Sequence, residues 1–139
     1  MREYSEEAFA KLCVVVKENK DEQSWFTDNG CGELWEFWNA IDGNENSFRW
    51  LMKNHHPELA AVVDSMNGND QAKKWLLMNR FRELAAFVDA AEGAQPAISF
   101  LLQQKEFGWV NFARAIFLKG KKKEKNFFWN ILNFGNPFR

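Results

Sequence analysis

The chain is poor in the residues that usually carry redox, metal or nucleophilic chemistry. It has two cysteines, two histidines and one tyrosine in 139 residues. Cys13 and Cys31 form no CxxC pair and no dense framework, which suits a reducing compartment. The only further soft ligands are the adjacent His55 and His56, so no zinc spacing is present. Serine is scarce as well (Ser5, Ser24, Ser47, Ser65 and Ser99), and Thr27 is the single threonine. There is no P-loop, no GxGxxG and no nucleophile signature. The nearest approach to a dyad is Cys31 with His56, both at expected hairpin ends, and it lacks any supporting motif. No catalysis, cofactor or metal is expected.

Charge and hydropathy exclude more. Lys+Arg total 18 against 19 Asp+Glu, so there is no global acidic or basic bias. No window approaches the roughly 20 apolar residues that a membrane-spanning helix needs. The opening Met1-Arg2-Glu3-Tyr4-Ser5-Glu6-Glu7 carries acids where a signal peptide needs a positive region, and the expected location is cytoplasmic. A hydrophobic content of 46% is nonetheless enough to bury a core in one domain. Aromatics are abundant, with 14 Phe and 7 Trp.

Those aromatics recur at one interval. Trp25, Trp50, Trp75 and Phe100 are 25 residues apart, as are Gly43, Gly68 and Gly93. Glu33-Leu34, Glu58-Leu59 and Glu83-Leu84 keep the same spacing, with Phe9 one interval before Leu34. Each repeat reads as two short helices. Leu59, Val62, Val63 and Met66 fall at i, i+3, i+4 and i+7, an apolar stripe on one helical face. Leu84, Phe87, Val88 and Ala91 repeat it, as do Leu34, Phe37, Trp38 and Ile41, and also Phe9, Leu12, Cys13 and Val16. The recurrent glycine then stops the helix in a left-handed conformation. Asn44 and Asn69 follow as N-caps, and Pro96 marks the first turn of the matching helix in the next unit.

Five units of about 8–32, 33–57, 58–82, 83–108 and 109–135 result, with a tail at 136–139. The fifth keeps the first-helix stripe in Trp109, Phe112, Ala113 and Ile116. Its glycine, Gly120, and its second-helix aromatic, Phe127, have slipped to an offset of 27. A short hairpin cannot bury its apolar face alone, so the units must stack. The expected fold is all-α: a right-handed α-solenoid of five helical hairpins, with the Trp25–Trp50–Trp75–Phe100 ladder in its core. The alternative is a compact helical bundle. The pattern resembles the helical-hairpin repeat proteins as a general class (tetratricopeptide, HEAT, armadillo). The 25-residue period is shorter than theirs and their signature residues are absent, so the resemblance implies architecture and no functional residues.

That architecture implies a non-catalytic protein–protein interaction module with an unidentified protein partner. The candidate partner-binding residues are those that break the repeat: Trp35 (Ala10, Ala60 and Ala85 elsewhere), His55, His56, Arg80, Arg82, and Lys121, Lys122, Lys123 and Lys125. The lysine run, flanked by Phe117 and by Phe127, Phe128 and Trp129, gives the alternative function, nucleic-acid binding by the fifth hairpin. Residues 1–69 hold 6 basic and 13 acidic residues and residues 70–139 hold 12 and 6, for nets of −7 and +6. Such a dipole favours head-to-tail self-association.

Overall fold

Capping side chains start three of the helices, two of them at the asparagines that the sequence marks. In the computed structural model, which describes the backbone of residues 2–130 and the side chains of residues 2–120, Ser5 Oγ accepts from the Ala8 amide at 3.1 Å. Asn44 Oδ1 accepts from the Ser47 amide at 3.0 Å, and Asn69 Oδ1 from the amides of Gln71 and Ala72. These amides have no partner inside their own helix. The described residues form helices and no strand: α1 (Glu6–Glu18), α2 (Gln23–Asp28), α3 (Gly32–Ile41), α4 (Glu45–Lys53), α5 (Pro57–Met66), α6 (Asp70–Met78), α7 (Arg82–Ala90), α8 (Gln95–Gln103) and α9 (Phe107–Asn130). The protein is all-α.

Two kinds of turn alternate along the chain. Within hairpins, Gly43, Gly68 and Gly93 have φ of 105°, 95° and 88°. Between hairpins, Gly30, His55, Arg80 and Lys105 occupy the matching left-handed position, with φ of 71°, 66°, 66° and 60°. In both, the next amide donates to the carbonyl five residues back: Asn44 to Asn39 and Asn69 to Asp64 in one kind, His56 to Leu51 and Phe81 to Leu76 in the other. This closes a Schellman motif. An L-residue reaches φ of about +50° to +70° and little beyond. The wider turns inside hairpins therefore require glycine, and the tighter turns between hairpins accept side chains at a conformational cost.

The first helices of the repeats form the inner layer. Leu12, Phe37, Val62, Phe87 and Phe112 stand at equivalent positions 25 residues apart, and none is accessible to solvent. They converge. The Phe37 ring lies 6.1 Å from Phe87 and 5.9 Å from Phe112, and Phe87 lies 5.1 Å from Trp109. Residues of the second, fourth and fifth repeats thus meet in one aromatic cluster. The inner helices pack in the order α1, α3, α5, α7, α9, and α1 packs back along α9. That last contact is close enough to need Gly108, where a Cβ would stand 2.1 Å from Phe9 Cδ2. The N-terminal segment straps across it. Tyr4 meets Phe9 and Trp109 edge-on at 6.1 and 6.3 Å, and its hydroxyl donates to Glu33 Oε2 at 3.2 Å. Arg2 pairs with the same buried carboxylate. Burial, with Glu33 beside it, pushes the Tyr4 phenol up from its ordinary pKa.

Two expectations from the sequence are corrected. The Trp25–Trp50–Trp75–Phe100 ladder is not in the core: Trp25, Trp50 and Phe100 are half-buried and Trp75 is 38% exposed. The buried ladder lies one residue later, in Phe26, Leu51, Leu76 and Leu101. Adjacent helical residues point about 100° apart, so only one of each pair can face the core. The tryptophans instead cover the turn. Trp50 stacks on His56 and Trp75 on Phe81, each at 5.9 Å. The second correction concerns the fifth unit, which has no turn at Gly120. Its backbone continues as helix to Asn130, and Gly120 is not left-handed. A lysine follows this glycine, where Asn44 and Asn69 cap α4 and α6 and where α8, uncapped at Ala94, has Pro96 in its first turn; neither start signal is present after Gly120.

The two turn types respond oppositely to substitution. His55→Gly and Arg80→Gly are each expected to raise stability by about 0.5–1 kcal/mol through relief of the left-handed side chain. Gly43→Ala and Gly68→Ala are expected to lower it by about 1–3 kcal/mol. A Cβ at Gly43 or Gly68 meets nothing within 4 Å, so the backbone alone is tested. Denaturant midpoints of the four variants measure it. Equal effects at both turn types would contradict the distinction.

Candidate interaction surface

After the first, which has Gly30, the turns between hairpins carry a basic or imidazole side chain three residues after an apolar one. His55, Arg80 and Lys105 share the left-handed position, and all are exposed. Three residues before each stand Met52, Leu77 and Leu102, also exposed and also 25 apart. Met78 (83% exposed) and Phe107 extend this edge. Four of the residues singled out by the sequence therefore belong to one repeated corner. His55, Arg80 and Arg82 are exposed, while His56 is half-buried between Trp50 and Glu58, with Nδ1 at 3.8 Å from Glu58 Oε1. His55 and Arg80 break the repeat because this turn tolerates a side chain.

Trp35 lies elsewhere. It is half-buried on α3, with its ring 6.1 Å from Phe26 of α2, where it packs on the first hairpin. Lys121, Lys122, Lys123 and Lys125 fall on the continuation of α9, and their side chains lie outside the described residues. The last described lysine before them, Lys119, sits over the Trp38 ring at 5.0 Å. Cys13 and Cys31 are free thiols, and burial pushes both up from the usual thiol pKa. Cys31 is buried, which does not suit a nucleophile. Among the described residues no group of three His, Cys, Asp or Glu is placed to hold a metal ion, and no helix is long and apolar enough to cross a membrane.

The feature not legible in the sequence is a gap in the outer layer of the described residues. α4 packs on α3 and α5, α6 on α5 and α7, and α8 on α7 and α9. No described outer helix packs on both α9 and α1. A cleft of about 470 Å³ runs along that junction, lined by Ala10, Cys13, Val14, Ala115 and Leu118, with Lys17 and Arg114 at its sides. Val14 is 36% exposed and Leu118 48%. On the other side of α9 a second groove of about 630 Å³ separates it from α8, with Ile98, Leu102, Val110 and Phe117 in its walls. Arg114 and Leu118 border both. The signal available in the sequence was Val14 and Leu118, apolar residues next to, not on, the core stripes.

Comparison with family models, with curated proteins and with solved structures finds no match to this chain.

One carboxylate at a corner is unfavourably placed. Glu106 occupies the position of Cys31, His56 and Phe81. Burial first, then Glu83 and Glu3, raise its pKa above the ordinary carboxylate value. A raised folded pKa gives stability that is full below the unfolded pKa and lost as pH rises through the folded one. Glu106→Gln, which keeps the neutral form, is expected to melt higher than the native chain near pH 7. The difference should vanish as pH falls below the ordinary glutamate range. A gain independent of pH would show that charge is not its cause.

Proposed function

We propose that the protein is a non-catalytic protein-binding module, a helical-hairpin array curled until its first and last inner helices meet. Its partner site is the α1–α9 cleft. The observation that supports this reading is the outer layer of the described residues: there the inner junctions beyond α3 carry an outer helix, whereas α1 and α9 present a largely apolar cleft. An amphipathic partner helix, with apolar residues at i, i+3 or i+4, and i+7, fits such a groove by the same physics that seats α4, α6 and α8. Arg114 and Lys17 flank the cleft and favour acidic residues beside the partner's apolar stripe. The exposed corner row of Met52, Leu77 and Leu102 with His55, Arg80 and Lys105 adds a second face on which a larger partner can rest.

Tagged chain incubated in native extract, with and without nuclease and washed at low and moderate salt, tests this. A protein partner is expected to survive nuclease and moderate salt and to be lost from Leu118→Asp. That exposed substitution charges the cleft without entering the core. Recovery that disappears with nuclease, or only with Lys121, Lys122 and Lys123→Glu, would overturn the reading in favour of nucleic-acid binding through the basic segment.

A further inference from the structure

We propose that what rests on the corner row of the turns between hairpins is an anionic lipid surface, which the protein binds peripherally. The row is separate from the α1–α9 cleft, so the inference does not depend on the helix-in-cleft reading. Two observations lead to it. The first is where the exposed apolar side chains gather. The outer helices α4, α6 and α8 end, and the inner helices α5, α7 and α9 begin, at the same end of the array. Eight large apolar side chains among the described residues are exposed. Six of them, Met52, Trp75, Leu77, Met78, Leu102 and Phe107, stand at that end, and the other two line the cleft. Such a concentration is not the scatter of single apolar residues that folded surfaces ordinarily carry.

The second observation is what surrounds them. Lys53, Arg80, Arg82 and Lys105 are exposed beside the row, whereas the carboxylates of the same turns, Glu58, Glu83 and Glu106, are half-buried. Apolar side chains that project between basic ones suit the boundary between headgroups and acyl chains. Trp75, stacked on Phe81 on one side and open to solvent on the other, suits that boundary as well. A peptide partner would need a groove or a sheet edge. The described residues hold no strand, and Met52, Leu77, Met78 and Phe107 line neither of the clefts beside α9. They project, Met78 most of all. Exposed acids at this end, Glu3, Glu6 and Glu7, belong to the start of α1 and the segment before it. The inner helices pack in the order α1, α3, α5, α7, α9, so α6 lies across the array from α1. Its corner, with Leu77, Met78, Arg80 and Arg82, therefore enters the lipid first, and the acids tilt away. α9 carries the chain away from this end, from Phe107 through Asn130.

Co-sedimentation of the full chain with vesicles reads the proposal directly. Binding is expected to vesicles of equal phosphatidylglycerol and phosphatidylcholine, to weaken with salt, and to be lost on phosphatidylcholine alone. Arg80→Gln with Lys105→Gln should weaken it about thirtyfold, at roughly fivefold per basic residue. Leu77→Ser with Met78→Ser should weaken it about tenfold or more. All four positions are exposed, so both variants should keep the native circular dichroism and melting temperature. Lys121, Lys122 and Lys123→Glu, more than about 20 Å along α9 from Phe107, should change binding little. Placement has its own readout. A solvatochromic label at Met78→Cys, in a chain carrying Cys13→Ala and Cys31→Ala, should shift to the blue on the anionic vesicles. The same label at Asn46→Cys, exposed in the first turn of α4 at the opposite end, should not.

No binding to the phosphatidylglycerol vesicles at low salt would overturn the proposal. So would binding that is lost with Lys121, Lys122 and Lys123→Glu and kept in both corner variants, which would give the lipid contact to the basic segment. A label that shifts at Asn46→Cys and not at Met78→Cys would overturn it by reversing the orientation. Corner variants that lose a protein from native extract while the vesicles stay unbound would overturn it in favour of an acidic protein partner. None of these outcomes touches the cleft, which Leu118→Asp tests by itself.

Discussion

Everything in this fold hangs on the aromatic cluster where the second repeat meets the fourth and fifth. In a stack of hairpins each unit touches only the next. Phe37 reaches Phe87 and Phe112 instead, with ring separations inside the range where aromatic pairs attract. Each such pair contributes about 0.5–1.5 kcal/mol beyond the area it buries, which is appreciable in a domain of this size. The position one turn earlier is filled by Phe9, Leu34, Leu59, Leu84 and Trp109, so the axis is packed in layers. Close approach of α1 to α9 then requires a residue without a Cβ at position 108. It also explains the strap, in which Arg2 and Tyr4 neutralise and satisfy a buried Glu33 that would otherwise be costly.

Curvature has a consequence for the surface. Inner helices that meet at an axis leave the wider outer circumference to be covered by other elements. The chain has five inner helices and, among the described residues, four outer ones. The deficit falls at α1 and α9, the two ends brought together by the cluster. A solvent-accessible cleft there follows from the same packing that closes the core, and no outer helix among the described residues covers it.

Much of this was legible in the sequence, and the failures are instructive. The 25-residue period, the first-helix stripes and the capping roles of Asn44 and Asn69 all follow from local chemistry, and local chemistry survives folding. Position within a helix was less secure. Tryptophan repeated at 25-residue spacing draws attention to itself, yet the leucine beside it is the residue that faces inward, while the ring lies over a turn. His55 and Arg80 break the repeat pattern. Their left-handed backbone explains the departure, and side-chain identity alone cannot reveal a positive φ. The approach of α1 to α9 was hidden for a different reason. A repeat encodes the contact between one unit and the next, whereas curvature accumulates from small rotations that no single repeat displays. The long α9 likewise goes with a segment that, after Gly120, has neither the N-cap asparagine of α4 and α6 nor the first-turn proline of α8, weak signals beside the glycine itself.

The contact between α1 and α9 is the claim on which the core, the strap and the cleft all depend. Spin labels at Ala10→Cys and Asn111→Cys, in a chain carrying Cys13→Ala and Cys31→Ala and diluted with unlabelled protein, measure it by electron–electron distance. Both labelled sites are exposed and face the same cleft. Adjacent helix axes lie about 8–10 Å apart, so a label separation below about 20 Å is expected. A separation near 40 Å, four such steps along an open stack, would contradict the closure and with it the site built upon it.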